Sequence, residues 1–188
     1  DPQRYRRFFA LRHRDLLPLL RQTGCVLITS AVESIDDPVL ALLRKGHTRA
    51  DFSLAVELCR QAGLDLSPTF IPFTPWTTLA GYRELLAALA QMDLIANVAP
   101  VQLALRLLIT AQSPLLELHD VQQVVRGFNP VSLVYPWRHP DPEVDALAGR
   151  LLALVDREQK RGATRMECFA AIWREANGDS VPPPEPAL

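Results

Sequence analysis

The fold is decided by the run GCVLITSAVES at residues 24–34, in which a glycine is followed at once by apolar residues and then by polar ones. Glycine commonly ends a helix, and a short apolar run directly after it is typical of a buried strand. We therefore predict a strand over Cys25–Thr29, with Ser30, Glu33 and Ser34 at its carboxyl end. Parallel α/β sheets and barrels bind ligands at that end of their strands, so these three polar residues are candidate ligand contacts.

Outward from this run, helix patterns alternate with further apolar runs. Helix starts are marked by Asp36 with Pro38 two positions later, and by Thr48 with Asp51 three positions later. Alternation of strands and helices indicates βαβ units with right-handed connections and a parallel sheet. The predicted strands are Cys25–Thr29, Leu64–Phe73, Val101–Leu105 and a short Ser132–Tyr135, and the predicted helices lie within 1–23, 36–46, 48–63, 78–92, 144–155 and 166–175.

The predicted fold class is α/β: an incomplete (β/α) barrel with three or four parallel strands, flanking helices and additional C-terminal helices. Three or four strands cannot close an eight-stranded barrel, so one edge and one face of the sheet are expected to be uncovered unless a missing N-terminal half covers them. We expect the barrel part at residues 1–140, a helical extension at 141–176 and a disordered proline-rich tail at 177–188.

Composition excludes several function classes. Of 188 residues, 48% are hydrophobic and 22% are charged, and the net charge of −1 offers no basic excess for nucleic acid. No apolar run approaches the roughly 20 residues of a membrane span. The 3 cysteines are far apart and none has CxxC spacing. We therefore expect no disulfide framework, no metal site held by this chain, and a reducing, cytoplasmic location.

The first run and its continuation resemble a known family. GCVLITSAVES is followed by IDDPVL at residues 35–40 and KGHT at residues 45–48. This resembles radical S-adenosylmethionine (SAM) enzymes, whose fourth barrel strand ends in a Glu-Ser pair and leads into an Asp-rich turn, a helix and a Lys-Gly-His-Thr step. AGL at 62–64 and SPTFIPFTPW at 67–76 resemble the fifth strand and its loop, and Pro100–Leu105 would be the sixth.

Two Trp-containing loops resemble one subgroup of this family in particular. TPWTT at residues 74–78 and YPWRHP at residues 135–140 look most like a subgroup with a Cys-rich tail that ends in Ala-Glu-Pro. The tail here reads PEP at residues 184–186 and contains no cysteine, which departs from that pattern.

The resemblance implies that the chain is the C-terminal half of a partial TIM barrel. The complete enzyme would bind SAM and an iron–sulfur cluster of the 4Fe–4S type, held by a CxxxCxxC loop, and would generate a radical. That loop is absent here, and Cys25, Cys59 and Cys168 do not match it, so the chain alone is expected to be inactive.

SAM contacts are expected on the adenosine side of the barrel. Alternative roles remain open for two of the expected contacts, Glu33 and Arg106. Glu33 can instead cap the helix near Asp36 or pair with Arg44, and Arg106 can form a surface ion pair with Glu117. The expected SAM-binding residues are Ser30, Glu33, Ser34, Thr69, Gln102 and Arg106.

The substrate, a small molecule or a peptide, is expected to meet residues of the two Trp-containing loops, namely Trp76, Trp137 and His139. Packing under the rim of the sheet is the competing interpretation for Trp76. For His47, which precedes a helix cap, a local structural role is favoured over metal binding.

Two other functions stay open. The chain can be a fragment of a different (β/α)-barrel enzyme, in which Glu33 and Arg106 act on a small anionic substrate. It can also be a non-catalytic domain that binds a partner through the open sheet edge and the Arg-rich N-terminal helix.

Overall fold

The computed structural model describes residues 9–185, and within them two strands form a parallel sheet, β1 (Leu27–Glu33) beside β2 (Asp65–Phe70). Leu27 pairs with Asp65 and the register runs to Ala31 with Thr69, after which a bulge sets Glu33 opposite Phe70. The helices are α1 (Phe9–Arg12), α2 (Leu17–Gln22), α3 (Asp37–Leu42), α4 (Arg49–Gln61), α5 (Leu79–Gln91), α6 (His119–Val124), α7 (Pro142–Lys160) and α8 (Arg165–Asn177).

The first predicted strand exists but is displaced along the chain. It begins two residues later than predicted, at Leu27, and extends to Glu33. Ser30 is therefore inside the strand, and Glu33 is its last residue. A continuous apolar run marks a strand without marking its ends, because polar residues are also tolerated at a partly exposed strand.

The predicted helix starts are confirmed by their caps. The Asp36 side chain accepts a hydrogen bond from the backbone N–H of Val39, and the Thr78 side chain accepts one from Gly81. Thr48 and Asp51 form a reciprocal capping box at the start of α4. These caps satisfy backbone donors that the first turn of a helix leaves free.

The third predicted strand, Val101–Leu105, is wrong, because none of these residues lies in a strand. A 3-10 turn occupies Pro100–Leu103, and the sheet continues only as an isolated parallel bridge between Phe73 and Arg106. In place of a strand backbone, the Gln102 Oε1 atom accepts a hydrogen bond from the Phe70 N–H at 3.1 Å. The Gln102 side chain therefore accepts the hydrogen bond that the backbone of a third strand would have accepted from the Phe70 N–H.

The fourth predicted strand, Ser132–Tyr135, is also corrected. Residues 131–133 form a turn, in which Leu133 has φ 58°, and Val134 makes isolated antiparallel bridges to Thr110 and Asn129. The partial (β/α) arrangement is therefore present, while the described residues contain two parallel strands rather than three or four.

The sheet has one covered face and one open face. Val32 and Phe70 are fully buried against the helices, and the rings of Phe70 and Phe52 of α4 meet edge to face with centroids 6.0 Å apart. On the other face Thr29 and Ala31 are exposed, and Leu27 is 51% exposed. Parallel sheets are ordinarily covered on both faces, so this open face is unusual.

Helices α7 and α8 pack on the same core as the sheet. Leu151 of α7 and Ile172 of α8 are fully buried in one cluster with Phe70 and Tyr82. In the predicted disordered tail, Val181 accepts a hydrogen bond from the Trp173 Nε1 atom at 2.6 Å. Residues 186–188 and the N-terminal arginines at positions 4, 6 and 7 lie outside the described residues.

Across residues 9–185, none of the helices combines the length and the apolar character that a membrane crossing requires.

Candidate functional site

Glu33 stands where β1 ends, and its backbone is in the left-handed region with φ 68°. Its carboxylate accepts a hydrogen bond from the Lys45 Nζ atom at 2.8 Å, and the two side chains are 13% and 30% exposed. The alternative partner Arg44 is not used, and Asp36 caps α3 by itself. A non-glycine residue in this region costs of the order of 1 kcal/mol or more, and such residues cluster at functional sites.

Two clefts lie beside this ion pair. Glu33 and Ser34 line a small cleft of about 30 Å³ with Pro72 and Thr77, which is room for about one water molecule. Lys45 lines a larger cleft of about 400 Å³ whose other walls include Ile71 and apolar side chains of residues 107–118. The ion pair thus connects two neighbouring clefts at the carboxyl end of the sheet, with Glu33 lining the small one and Lys45 the larger one.

The remaining strand residues divide between the two faces. Thr69 pairs with Ala31 on the open face, whereas Ser30 pairs with Pro68 on the face toward the helices. Side chains alternate along a strand, so Ser30 and Thr69 point to opposite sides. Sequence reasoning placed both in one site, and the structure does not bring them together.

Arg106 is already engaged by neighbours. Its guanidinium donates to Asp145 Oδ1 at 2.8 Å and to the Trp137 carbonyl at 3.2 Å, and its Cζ atom lies 4.2 Å from the centroid of the Trp137 ring. The alternative ion pair with Glu117 is wrong, because the partner is Asp145 of α7. Arg106 and Gln102 thus both contact the edge of the sheet, where Gln102 accepts a hydrogen bond from the Phe70 N–H.

Burial acts to raise the pKa of Asp145, but three other influences outweigh it. The His139 N–H, the Arg106 guanidinium and the charge of Arg138 together hold the pKa of that carboxyl below its ordinary value.

Two of the three expected substrate contacts line one cleft. Trp76 and His139 face a space of about 660 Å³, with Asp120 of α6 on its wall. Trp76 Nε1 donates to Asp120 Oδ2 at 3.2 Å. Trp137 is instead buried, and its Nε1 atom donates to the Leu107 carbonyl at 2.8 Å, which is a structural contact.

Sequence reasoning missed several residues of these clefts. Lys45 belongs to the KGHT run at residues 45–48, and neither Lys45 nor Ile71 is among the predicted ligand contacts. Arg126 and Arg138 line the 660 Å³ cleft, and no spacing signal marks them. His47 is buried with its ring nitrogen 3.1 Å from the Val32 carbonyl, consistent with a local structural role.

The cysteines do not fit an iron–sulfur cluster. Among residues 9–185, no group of three His, Cys, Asp or Glu side chains is placed to hold a metal ion. Cys59 and Cys168 are buried, and burial raises the pKa of both thiols. Cluster ligands must be thiolates, so the described residues supply no such site.

No family model matches this chain, and none of the curated proteins matches it. The solved structure of the cobalamin-dependent S-adenosylmethionine radical enzyme OxsB, with aqua-cobalamin bound, is similar with a TM-score of 0.66 at 15% sequence identity. The similarity covers 78% of this chain and 26% of that enzyme's chain. At this identity the finding establishes a shared fold, and the chain spans about a quarter of the length of the matched enzyme.

Proposed function

We propose that this chain is the C-terminal half of the barrel of a radical SAM enzyme and helps to bind SAM for radical generation. The observation that carries the proposal is the Glu33–Lys45 pair at the carboxyl end of β1, where the backbone of Glu33 is held in an unfavourable conformation. The fold shared with OxsB and the Glu-Ser and Lys-Gly-His-Thr runs support it.

The residues at this edge suit an adenosyl ligand. The Glu33 carboxylate can accept hydrogen bonds from ribose hydroxyls or from an ammonium group, and Lys45 keeps it oriented. Ile71 and Leu107 offer an apolar wall of the kind that excludes water from a flat ring. When SAM is bound and reduced, it supplies a 5′-deoxyadenosyl radical.

The proposed roles of the other predicted contacts differ. Ser34 and Thr69 are kept as ligand contacts, because Ser34 shares the small cleft of Glu33 and Thr69 lies on the open face. Gln102 and Arg106 act as positioning residues through Phe70 and Asp145. Ser30 is left out, because it faces the helices. The cluster would belong to the other half of the barrel, and a reducing, cytoplasmic location is part of the proposal.

The test compares this chain with a longer chain that includes an upstream CxxxCxxC loop. After anaerobic reconstitution, we expect the longer chain to bind iron and release 5′-deoxyadenosine, and the 188-residue chain to do neither. Glu33→Gln in the longer chain should lower 5′-deoxyadenosine formation about tenfold or more while iron content stays unchanged.

Glu57→Gln is the matched control, because Glu57 is exposed on α4 and far along the chain from this edge. Cluster formation on the 188-residue chain, or full activity of the Glu33→Gln variant, contradicts the proposal.

A second candidate function, partner binding without catalysis, is favoured by the uncovered edge of β1. Leu27, on the open face of β1, is 51% exposed, and Val26, directly before the strand, is 59% exposed. The unpaired backbone groups of an edge strand are a template for pairing with another chain, and exposed apolar side chains beside them favour association. A monodisperse dimer by light scattering, together with a longer chain that binds no iron, would support this function instead.

A further inference from the structure

A cleft of about 660 Å³ lies between the loop after β2, helix α6 and residues 138–140. Its size falls within the range of roughly 300–1,000 Å³ that small-molecule sites occupy. Trp76 and Pro75 come from the loop, and Asp120 from α6. The cleft is lined by different residues from the small Glu33 cleft, so what it binds is a separate question from SAM binding.

Two arginines reach this cleft from one short ladder. Val125 and Trp137 form an antiparallel bridge, flanked by hydrogen bonds from Arg126 N to the Pro136 carbonyl at 2.7 Å and from Arg138 N to the Val124 carbonyl at 3.4 Å. Arg126 and Arg138 therefore lie on the same face of the ladder. Diagonal neighbours of this kind are about 7–8 Å apart.

Among the described residues, these two guanidinium groups make no direct contact with an acid, and Arg138 acts on Asp145 only through its charge. Both side chains are exposed and line the cleft, and within residues 9–185 neither guanidinium forms an ion pair or a hydrogen bond. The Asp120 carboxylate on the same wall is bonded to the Trp76 indole. Two like charges that share a cleft repel each other, and an anion between them removes that repulsion.

The wall beside them is flat and fixed. Trp76 is half-buried, and the bond from its Nε1 atom to Asp120 Oδ2 at 3.2 Å restrains the plane of the indole. A restrained indole is a good stacking surface for another flat ring. His139 lines the same cleft, and its Nε2 atom is buried without a hydrogen-bond partner among the described residues.

We propose that this cleft binds a small ligand that combines a phosphate group with a flat ring. A phosphate presents three oxygens, enough to accept hydrogen bonds from both guanidinium groups. A single guanidinium group already occupies both oxygens of a carboxylate. The flat ring stacks on Trp76. The proposal does not depend on SAM binding at Glu33.

The test is calorimetric titration of the 188-residue chain with adenosine monophosphate, adenosine and inorganic phosphate. Adenosine monophosphate should bind one to one, and about tenfold or more tightly than either of the other two. Arg126→Gln and Arg138→Gln should each weaken its binding about tenfold. Trp76→Leu should weaken binding of adenosine monophosphate and leave binding of phosphate unchanged.

Arg157→Gln serves as the control. It removes an exposed arginine of α7, and this variant should bind adenosine monophosphate as the unchanged chain does. Unfolding midpoints by circular dichroism verify that each variant is folded. Absence of binding at millimolar adenosine monophosphate, equal binding of adenosine, or an equal loss in Arg157→Gln overturns the proposal.

Discussion

At the scale of single residues, Asp145 connects the edge of the sheet to α7. Its Oδ1 atom accepts from Arg106 at 2.8 Å and from the His139 N–H at 2.9 Å. The side chains of Arg106 and Asp145 are 28% and 29% exposed, so this ion pair is partly shielded from water. We therefore expect it to contribute measurably to stability, unlike an exposed pair.

Replacing Asp145 with Asn should lower the free energy of unfolding at neutral pH by about 1–3 kcal/mol, because charge-assisted hydrogen bonds are lost. The pKa of Asp145 lies below its ordinary value of 3.8 in the folded chain, so its stabilising effect is complete above that value. The effect declines as the pH falls through the lower folded pKa.

Urea unfolding of the original chain and of Asp145→Asn across the acid range measures this. The difference between them should shrink below the ordinary pKa of 3.8. Asp156→Asn, which removes the carboxylate of an exposed pair with Lys160, is the control and should change stability little at any pH. A constant difference down to the lowest pH would contradict the assignment.

Also at this scale, the sequence placed Glu33 near the carboxyl end of a strand but did not reveal its partner. The chain reverses through Arg44, with φ 52°, and this reversal brings Lys45 back to Glu33. A left-handed arginine leaves no sequence signal, because glycine is the residue expected in that conformation.

At the scale of elements, α4 and α5 end in the same way with different residues. After α4, Gly63 has φ 69° and the Leu64 N–H reaches back to the Cys59 carbonyl. After α5, Asp93 has φ 53° and the Leu94 N–H reaches back to Leu89. The left-handed position favours glycine, so one helix has the preferred residue and the other does not.

Substitutions at these two positions should change the free energy of unfolding in opposite directions. Gly63→Ala should destabilise the fold by about 1 kcal/mol, and Asp93→Gly should stabilise it by a few tenths to about 1 kcal/mol. Thermal and urea unfolding measure both changes. Equal signs for the two variants would contradict the shared end geometry.

The exposed start of β1 gives a second prediction at this scale. Val26→Lys and Leu27→Lys should change the free energy of unfolding by less than about 0.5 kcal/mol, because both side chains already meet solvent. Val32→Lys should prevent folding, because Val32 is fully buried and an unpaired charge there is costly. Urea unfolding compares them, and a large loss in Leu27→Lys would mean that this face is covered.

The wrong third strand also belongs to this scale. An apolar run such as Val101–Leu105 is compatible with a strand or a helical turn, and periodicity alone does not separate them. Pro100 begins a 3-10 turn, and Gln102 satisfies the donor of Phe70 from its side chain. The choice between strand and turn depends on the neighbouring strand, because Gln102 bonds to Phe70, which lies 32 residues earlier in the chain.

At the scale of the whole molecule, the helical extension expected at residues 141–176 shares its core with the sheet. Fully buried Leu151 of α7 belongs to one cluster with Phe70 of β2 and Ile172 of α8. We therefore expect residues of the sheet and of α7 to lose their structure in one cooperative transition.

Leu151→Ala should lower the free energy of unfolding by about 2–5 kcal/mol, as deletion of buried side-chain volume usually does. Native-state hydrogen exchange should then show β2 and α7 losing protection by the same amount. Leu152→Ala is the neighbouring control, because Leu152 is 50% exposed and its truncation should cost little. Loss of protection confined to α7 and α8 would indicate a separate domain.

The sequence by itself determined the local features: the caps at Asp36 and Thr48, a helix from Thr78, the first two strands, and a polar residue at the end of β1. These are predictable because they depend on interactions between residues a few positions apart. Helix caps and apolar runs act within one or two turns of chain.

The tertiary structure alone decided which side chains meet. Glu33 reaches Lys45, Arg106 reaches Asp145, and Arg126 and Arg138 come to one cleft through an antiparallel bridge. Such pairs depend on long-range folding of the chain, where packing and unsatisfied hydrogen-bonding groups select one arrangement among many that local preferences permit.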